Sequence, residues 1–372
     1  MRKKLAAALC ALALFCAPPA VGEIYTFSPD EIPAALTSTV LRVVEGETTV
    51  RLTFLGDCTL GGTTGSANYG KGFVQTVREQ GLAYPFARLR PLLTKDDLTV
   101  ANLEGVLSEN TEDKQKKEFN FIGSPEYAKI LTLGSIECAG LSNNHALDFG
   151  PAGKADTVAA LKKEGVAYFD DDAVTVLDKD GARVGLMGSL FGVDVAKAKR
   201  QIRALREAGC TAIIHCLHMG REYAQGPTAS QRAAAKLLGG LGVLLVVGHH
   251  PHGAQGMEIL GHTPVVYSLG NACFGGNHVP KDLDAVLLGV EIRFLEGRAI
   301  SQQLTFWPIS ISGQARRNDF QPRLLNGTDA ERVMKKLRAS SSGVFHDFVE
   351  NEGAKQPVME LIEELDMETE NQ

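Results

Sequence analysis

Polar side chains with the chemistry of metal ligands directly follow several short apolar runs of this sequence. The clusters are Gly56-Asp57, Asn102-Leu103-Glu104, Ser142-Asn143-Asn144-His145, His218-Met219-Gly220-Arg221-Glu222-Tyr223, Gly248-His249-His250-Pro251-His252 and Ser268-Leu269-Gly270-Asn271. Carboxylates, amides and imidazoles together suit divalent transition metals such as Mn, Fe or Zn, and imidazole disfavours calcium. Because open α/β sheets bind ligands at the carboxyl ends of their strands, we expect these clusters to converge on one crevice.

Within these clusters, residue type and setting select candidate ligands. His250 and His252 flank Pro251, whose fixed φ would present both imidazoles on a stiff turn. For Asp57, a role as a metal ligand is favoured over a structural role in a turn at the end of its strand. For Glu104, the same role is favoured over that of an acid at the start of a helix. Asn144 alone would be interpreted as a turn residue. Its neighbour His145 is the reason that a role for Asn144 as a metal ligand is also considered.

Two further residues are candidates for catalysis. His145, one residue past a candidate ligand, would be free to protonate a leaving oxygen, although it could instead hydrogen-bond within its turn to Asp148. Arg221 could hold an anionic oxygen or be an ordinary surface arginine. The sequence contains no GxSxG, no GxGxxG opening a βαβ unit and no Walker A motif, which disfavours serine hydrolases, dinucleotide binding and P-loop NTP binding.

The elements that must position these residues alternate between strands and helices, which predicts a layered α/β fold. The predicted strands are Val50–Leu55, Leu98–Asn102, Ile136–Leu141, Val184–Ser189, Ala212–Leu217, Val243–Val247 and Val265–Leu269. The predicted helices are Phe86–Leu93, Glu126–Leu133, Ala152–Glu164, Ala196–Ala208 and Ser230–Gly239. A hairpin is expected over 285–307. Thr328 and Glu331 predict a capping box that starts a last helix reaching about Phe348.

Charge and the N-terminus bound the setting. The formal net charge is -6, which offers no basic footprint for nucleic acid, so an anionic substrate must be held by local groups or by metal. Residues 1–22 combine a basic start, a short apolar run and a small-residue exit, as in a cleaved signal peptide, with an uncleaved signal anchor as the alternative. The protein is therefore expected to be exported, to the extracellular space or the cell envelope.

The remaining domain organisation follows from composition. We expect a leader over 23–48, one domain over 49–310, a helical extension over 311–349 and an acidic tail over 350–372. The cysteines after the signal segment show no CxxC pair and indicate core thiols. Cys58 and Cys216 lie near the polar clusters, which leaves a ligand role open for them.

The ordered motifs over about residues 50–294 strongly resemble the bacterial capsule-synthesis (CapA-type, poly-γ-glutamate) family, which is related to the calcineurin-like metallophosphoesterases. They are Gly56-Asp57, Tyr84-Pro85-Phe86, Asn102-Leu103-Glu104-Gly105, Ser142-Asn143-Asn144-His145 with Asp148-Phe149-Gly150, His218-Met219-Gly220, Gly248-His249-His250-Pro251-His252 and Tyr267-Ser268-Leu269-Gly270-Asn271. The resemblance implies a four-layer α/β/β/α sandwich, a metal centre and a role in making, exporting or anchoring poly-γ-glutamate. It departs from the metallophosphoesterase pattern where Asp57 is followed by Cys58 and Thr59 instead of a DxH histidine.

Two function classes follow from this resemblance. As an enzyme, the protein would hydrolyse a phosphoester or a related bond with one or two divalent transition metal ions (Mn, Fe or Zn). The ligands would be Asp57, Glu104, Asn144, His218, His250 and His252. As a non-catalytic envelope subunit, it would bind the polymer or brace a membrane synthase or exporter. The intact His, Asn and Glu set favours the enzyme, whereas the missing DxH histidine favours the subunit.

Overall fold

The computed structural model describes residues 22–37, 46–63 and 72–342, with short strands at 349–351, 354–356 and 358–359. Residues 1–21 of the predicted signal segment and most of the predicted acidic tail lie outside these ranges. The strands are β1 (Glu23–Phe27), β2 (Glu47–Thr59), β3 (Gly62–Thr63), β4 (Leu98–Leu103), β5 (Val106–Leu107), β6 (Phe121–Gly123), β7 (Cys138–Gly140), β8 (Ala167–Phe169), β9 (Val174–Lys179), β10 (Ala182–Leu190), β11 (Ala212–His218), β12 (Leu245–His249), β13 (Ala254–Leu260), β14 (Thr263–Leu269), β15 (Asn271–Phe274), β16 (Asp284–Leu295), β17 (Arg298–Ser310), β18 (Arg323–Leu324), β19 (Val349–Asn351), β20 (Ala354–Gln356) and β21 (Val358–Met359). The helices are α1 (Ala34–Thr37), α2 (Phe73–Gln80), α3 (Arg90–Leu93), α4 (Ala128–Leu133), α5 (Gly150–Lys163), α6 (Val195–Glu207), α7 (Ala229–Gly240) and α8 (Gly327–Ala339).

Two mixed β-sheets carry most of these strands. The first sheet has the order β1-β9-β10-β11-β12-β14-β13, and the second has the order β18-β17-β16-β2-β4-β7-β8, with β15 beside β2 and β21 beside β17. The strands β10, β11, β12 and β14 run parallel in the first sheet, and β2, β4, β7 and β8 run parallel in the second. Residues that follow parallel strands therefore collect at one edge of each sheet.

The two sheets pack face to face, with helices on both outer faces. Alternate residues of β2 and β10, including Phe54 and Leu186, meet in a shared core between the sheets. Leu205 of α6 and Ala235 of α7 cover the outer face of the first sheet. Phe73 of α2, with α4 and α5, covers the outer face of the second. This arrangement confirms the α/β/β/α sandwich.

Each predicted strand and helix overlaps an element of the structure, and the predicted hairpin is β16 paired with β17. The 23–48 segment, predicted as a leader without periodicity, is different. Glu23–Phe27 forms β1, which pairs with β9 at the edge of the first sheet. Most β1 side chains are half-buried at that edge, so the sequence lacks the alternation that a strand with one buried face would show.

The predicted capping box at the last helix is wrong. Helix α8 begins at Gly327 after Asn326, which makes no side-chain cap hydrogen bond, and Thr328 already lies in the first turn. The helix ends at Ala339, not near residue 348. Buried Val333 and Leu337 join the core between the sheets, so packing of the apolar face is the main stabilisation of this helix.

In the part of the chain that the structure describes, every helix is too short or too polar to span a bilayer.

Candidate metal centre

A β-bulge aims Asp57 into the space between the sheet edges. The register between β2 and β4 shifts between Leu55 and Asp57, so Gly56 is the extra residue. Asp57 N donates to Gly270 O at 2.9 Å. A Cβ atom at position 56 would lie 2.0 Å from the same oxygen, so this close approach requires glycine. The sequence placed Asp57 after its strand, whereas β2 continues through the bulge to Thr59.

The strand-end clusters meet in two groups of ligand atoms that share Glu104. One group is Glu104, His218 and His250, and the other is Asp57, Glu104 and His252. All five side chains are buried, and within each group the ligand atoms lie within 4.8 Å of one another. This spacing is what one or two ions need, because N and O ligands at about 2.0–2.2 Å from a metal lie a few ångströms apart.

Glu104 lies at the centre of both groups. Its Oε1 is 3.8 Å from His218 Nε2, and its Oε2 is 3.9 Å from His252 Nδ1. Neither carboxylate oxygen has a hydrogen-bond partner among the described residues, although the side chain is fully buried. Because a buried carboxylate without partners is costly, this arrangement fits a residue that ligates a cation.

Burial and neighbouring charges shift the pKa values of Glu104 and of the ligand residues around it. Burial raises the pKa of Glu104 to about 8. Burial opposes the charged form of His252, but the charges of Glu104 and Asp57 outweigh it and raise the His252 pKa to about 10. Burial also disfavours ionised Asp57, yet the His252 hydrogen bond and charge lower its pKa overall. Burial lowers the pKa of His218 and His250, which leaves both neutral as ligation requires.

The segment His250-Pro251-His252, called the histidine turn below, has a strained backbone. His250 has φ 95° and His252 has φ 58°, both in the left-handed region that non-glycine residues rarely adopt. His250 N donates to Asp57 Oδ2 at 3.3 Å, and His252 Nδ1 lies 3.1 Å from the same oxygen. Strain of this kind persists where the surroundings hold it and is common at ligand sites.

Asn144 joins the group that contains His218. Its Oδ1 lies 2.7 Å from His218 Nε2, the same nitrogen that faces Glu104. The structure therefore brings all six candidate ligands together at the facing sheet edges.

His145 lies beside the ligands, and a hydrogen bond to Asp148 orients its ring. Its Nδ1 is 2.7 Å from Asp148 Oδ2, and its Nε2 is 3.8 Å from Glu104 Oε1. Burial lowers the pKa of His145. One ring nitrogen of His145 is therefore bonded within the turn, and the other faces the ligand cluster.

Arg221 is not part of the cluster. Its side chain is exposed, and within the described part of the chain it makes no hydrogen bond or ion pair. His249 also turns away, with Nε2 3.2 Å from the Leu55 carbonyl oxygen.

The two cysteines near the motifs lie in the core. Cys58, the residue between Asp57 and the Thr59 that replaces the DxH histidine, is buried against the outer face of the second sheet, and its Sγ donates to Gly56 O. Burial raises its pKa to about 12, which disfavours the thiolate that would bind metal. Cys216 packs between the sheets.

Sequence reasoning missed the residues that orient the ligands. Asn102 Nδ2 donates to Asp57 Oδ1 at 2.8 Å and lies 3.2 Å from His218 Nδ1. Asn143 Nδ2 donates to Asn102 Oδ1, and Asn271 Oδ1 lies 3.0 Å from His252 Nδ1. All three asparagines belong to the strand-end clusters, and this position in the sequence could have identified them as residues of the site.

Lys117 was missed for a different reason. Its Nζ forms an ion pair with Asp148 and donates to Asn144 O at 2.7 Å. It lies in an exposed segment without apolar periodicity, and nothing in the sequence links that segment to the 143–148 turn.

Comparison with known proteins agrees with this architecture. A model of the family described as bacterial capsule synthesis protein PGA_cap matches residues 51–190 and 170–276. The capsule biosynthesis protein CapA of Bacillus anthracis is 26% identical over 239 residues, covering 56% of this chain and 58% of that protein. The PGA biosynthesis protein CapA of Bacillus subtilis is 28% identical over 227 residues, covering 54% and 60%.

A probable polyglutamine synthesis accessory protein of Mycobacterium tuberculosis is 26% identical over 212 residues, covering 48% of this chain and 56% of that protein. The chain thus spans less than two thirds of the length of these relatives. The matched region contains Asp57, Glu104, Asn144, His218 and the histidine turn. Because the family model covers more than half of the residues, the chain belongs to the bacterial capsule synthesis protein family PGA_cap.

Proposed function

We propose that this protein is a metal-dependent hydrolase of phosphoester or related bonds that serves poly-γ-glutamate capsule biosynthesis. The observation that carries the proposal is the pair of buried ligand groups sharing Glu104, whose two carboxylate oxygens lack a hydrogen-bond partner among the described residues. The names of the Bacillus relatives support the capsule role.

The residues present fit one or two divalent ions of the Mn, Fe or Zn type. Asp57, Glu104 and His252 would hold one position, and Glu104, His218 and His250, with Asn144, would hold another. A bound ion of this kind supplies Lewis-acid chemistry to a phosphoryl or carbonyl oxygen.

The chain's own groups would handle the proton and the anion. His145 would carry the proton to the leaving oxygen from Nε2, while Asp148 fixes the ring through Nδ1. Arg221 is an exposed residue that follows His218 by three positions, and its guanidinium would bind an anionic oxygen of a bound substrate.

The test is hydrolysis by the purified protein with and without added Mn²⁺, on a generic phosphoester and on poly-γ-glutamate. We expect metal-dependent turnover of at least one of the two. Retained metal with no turnover of either would contradict the hydrolase.

Such a result would support a second candidate, a non-catalytic envelope subunit that binds the polymer or braces a membrane synthase or exporter. The buried Thr59 favours it, because this residue stands where metallophosphoesterases usually have the DxH histidine, so one metal position lacks that imidazole. Binding of poly-γ-glutamate without turnover would be its signature.

We also propose export of the protein to the cell envelope or beyond. The Arg2-Lys3-Lys4 start and the Ala20-Val21-Gly22 exit support cleavage before Glu23. N-terminal sequencing of the exported protein should therefore begin near Glu23. A retained Met1 in the membrane fraction would instead indicate an uncleaved anchor.

A further inference from the structure

A cavity of about 290 Å³ lies at the carboxyl end of β10, next to the metal centre. Leu190, the last residue of β10, is paired with His218 in the parallel register of β10 and β11. Phe191 N donates to His218 O at 3.0 Å. Leu190 itself lines the cavity, so the cavity includes a strand position that pairs with a candidate ligand.

Phe191 contacts both the cavity and a candidate ligand. It lines the cavity, and its ring makes an edge-on contact with the His250 ring at a centroid distance of 5.0 Å. The side chain is 55% exposed, and its φ of 52° is left-handed. An exposed phenyl group on a strained backbone costs free energy, which is common where a residue serves recognition.

The inner wall of the cavity carries an unmet hydrogen bond. His215 is completely buried, and its Nε2 lies 2.8 Å from Ser189 Oγ. Its Nδ1 has no hydrogen-bond partner in the described ranges. Burial lowers the pKa of His215 to about 3, so the ring is neutral. Both His215 and Ser189 line the cavity, but His215 Nδ1 is closed off from solvent, so the part-exposed Ser189 hydroxyl is the neutral hydrogen-bonding group that this wall offers.

Charged groups are confined to the mouth of the cavity. Lys197 is part-exposed and paired with Asp171 at 3.4 Å. Asp194 accepts hydrogen bonds from the first turn of α6, so this helix start is already capped. An anionic group would meet two carboxylates and one paired lysine here, which disfavours phosphate or carboxylate as the occupant of this cavity.

We propose that this cavity binds an amide group of the substrate, beside the bond that is cleaved at the metal centre. An amide is neutral, planar, and both donor and acceptor, so it can hydrogen-bond to the Ser189 hydroxyl while its plane packs on Phe191. The inference rests on the proposed function, in which the polymer is a chain of γ-amides that each carry a carboxylate.

The test compares two oligomers with the same number of carboxylates, oligo-γ-glutamate with amides and oligoacrylate without them. Calorimetric titration of the purified protein should show at least about tenfold tighter binding of oligo-γ-glutamate. Phe191→Ala and Ser189→Ala should each reduce that preference to within about threefold. Both positions are at least part-exposed, so folding should persist, as checked by thermal unfolding.

Phe119→Ala is the matched control. Phe119 is 51% exposed and its ring stacks with Phe121 at 6.5 Å, away from the cavity lining. This variant should keep the wild-type preference. Equal binding of both oligomers by the wild type, or an unchanged preference in Phe191→Ala and Ser189→Ala, would overturn the proposal.

This readout requires no turnover. A protein that prefers the amide oligomer but hydrolyses nothing would overturn the hydrolase and leave the amide site intact. A metal-dependent hydrolase without the preference would do the reverse.

Discussion

The wild-type protein should retain a transition metal through gentle purification, and a double variant, His250→Ala with His252→Ala, should lose nearly all of it. The two histidines belong to different ligand groups, so the double variant removes one imidazole from each group. Loss of a residue that merely supports a ligand already lowers metal affinity about 10–100-fold, and loss of two direct ligands should cost more. Elemental analysis of the purified proteins measures the effect.

His249→Gln is the matched control for this variant. His249 is the neighbouring buried histidine, but its Nε2 faces the Leu55 carbonyl oxygen and it belongs to neither ligand group. Glutamine keeps a donor for that carbonyl, so the control should fold and retain its metal. Equal metal content in the double variant and the wild type would show that His250 and His252 are not the ligands.

The sequence predicted where the site would form because strand ends are easy to locate. Apolar runs of five or six residues mark the central strands, and the polar residue after each run marks the sheet edge. In a fold of parallel strands this is enough to bring Glu104, His218 and His250 together. It also predicted the α/β/β/α layers through the resemblance, which the two packed sheets confirm.

The parts that the sequence did not predict depend on contacts between distant segments. The ion pair of Lys117 with Asp148 joins an exposed segment to the 143–148 turn, and no local pattern encodes it. The bulge at Gly56 depends on the approach of Gly270, more than 200 residues away. Strand β1 is stabilised by its pairing with β9, which lies far away in the sequence, so the β1 residues themselves show no strand-like alternation.

His145→Ala should keep both metal and fold yet lose turnover by about 10²–10⁴-fold, the usual contribution of a general acid. Its Nδ1 is bonded to Asp148 and its Nε2 faces Glu104, so the ring is oriented without being a member of either ligand group. Asn144→Ala should lose metal as well as turnover, because its Oδ1 lies against His218 Nε2 within the ligand cluster. Metal content and hydrolysis rate are measured on the same two variants.

The leaving group distinguishes a proton donor from a residue that only holds its turn. An alkyl phosphoester expels a basic alkoxide that must be protonated, whereas p-nitrophenyl phosphate expels a stable phenolate that needs little help. The loss in His145→Ala should therefore be large for the alkyl ester and much smaller for the nitrophenyl ester. A purely structural role would disturb the Asp148 turn and lower both rates alike. Unchanged turnover of both esters would show that His145 takes no part in the chemistry.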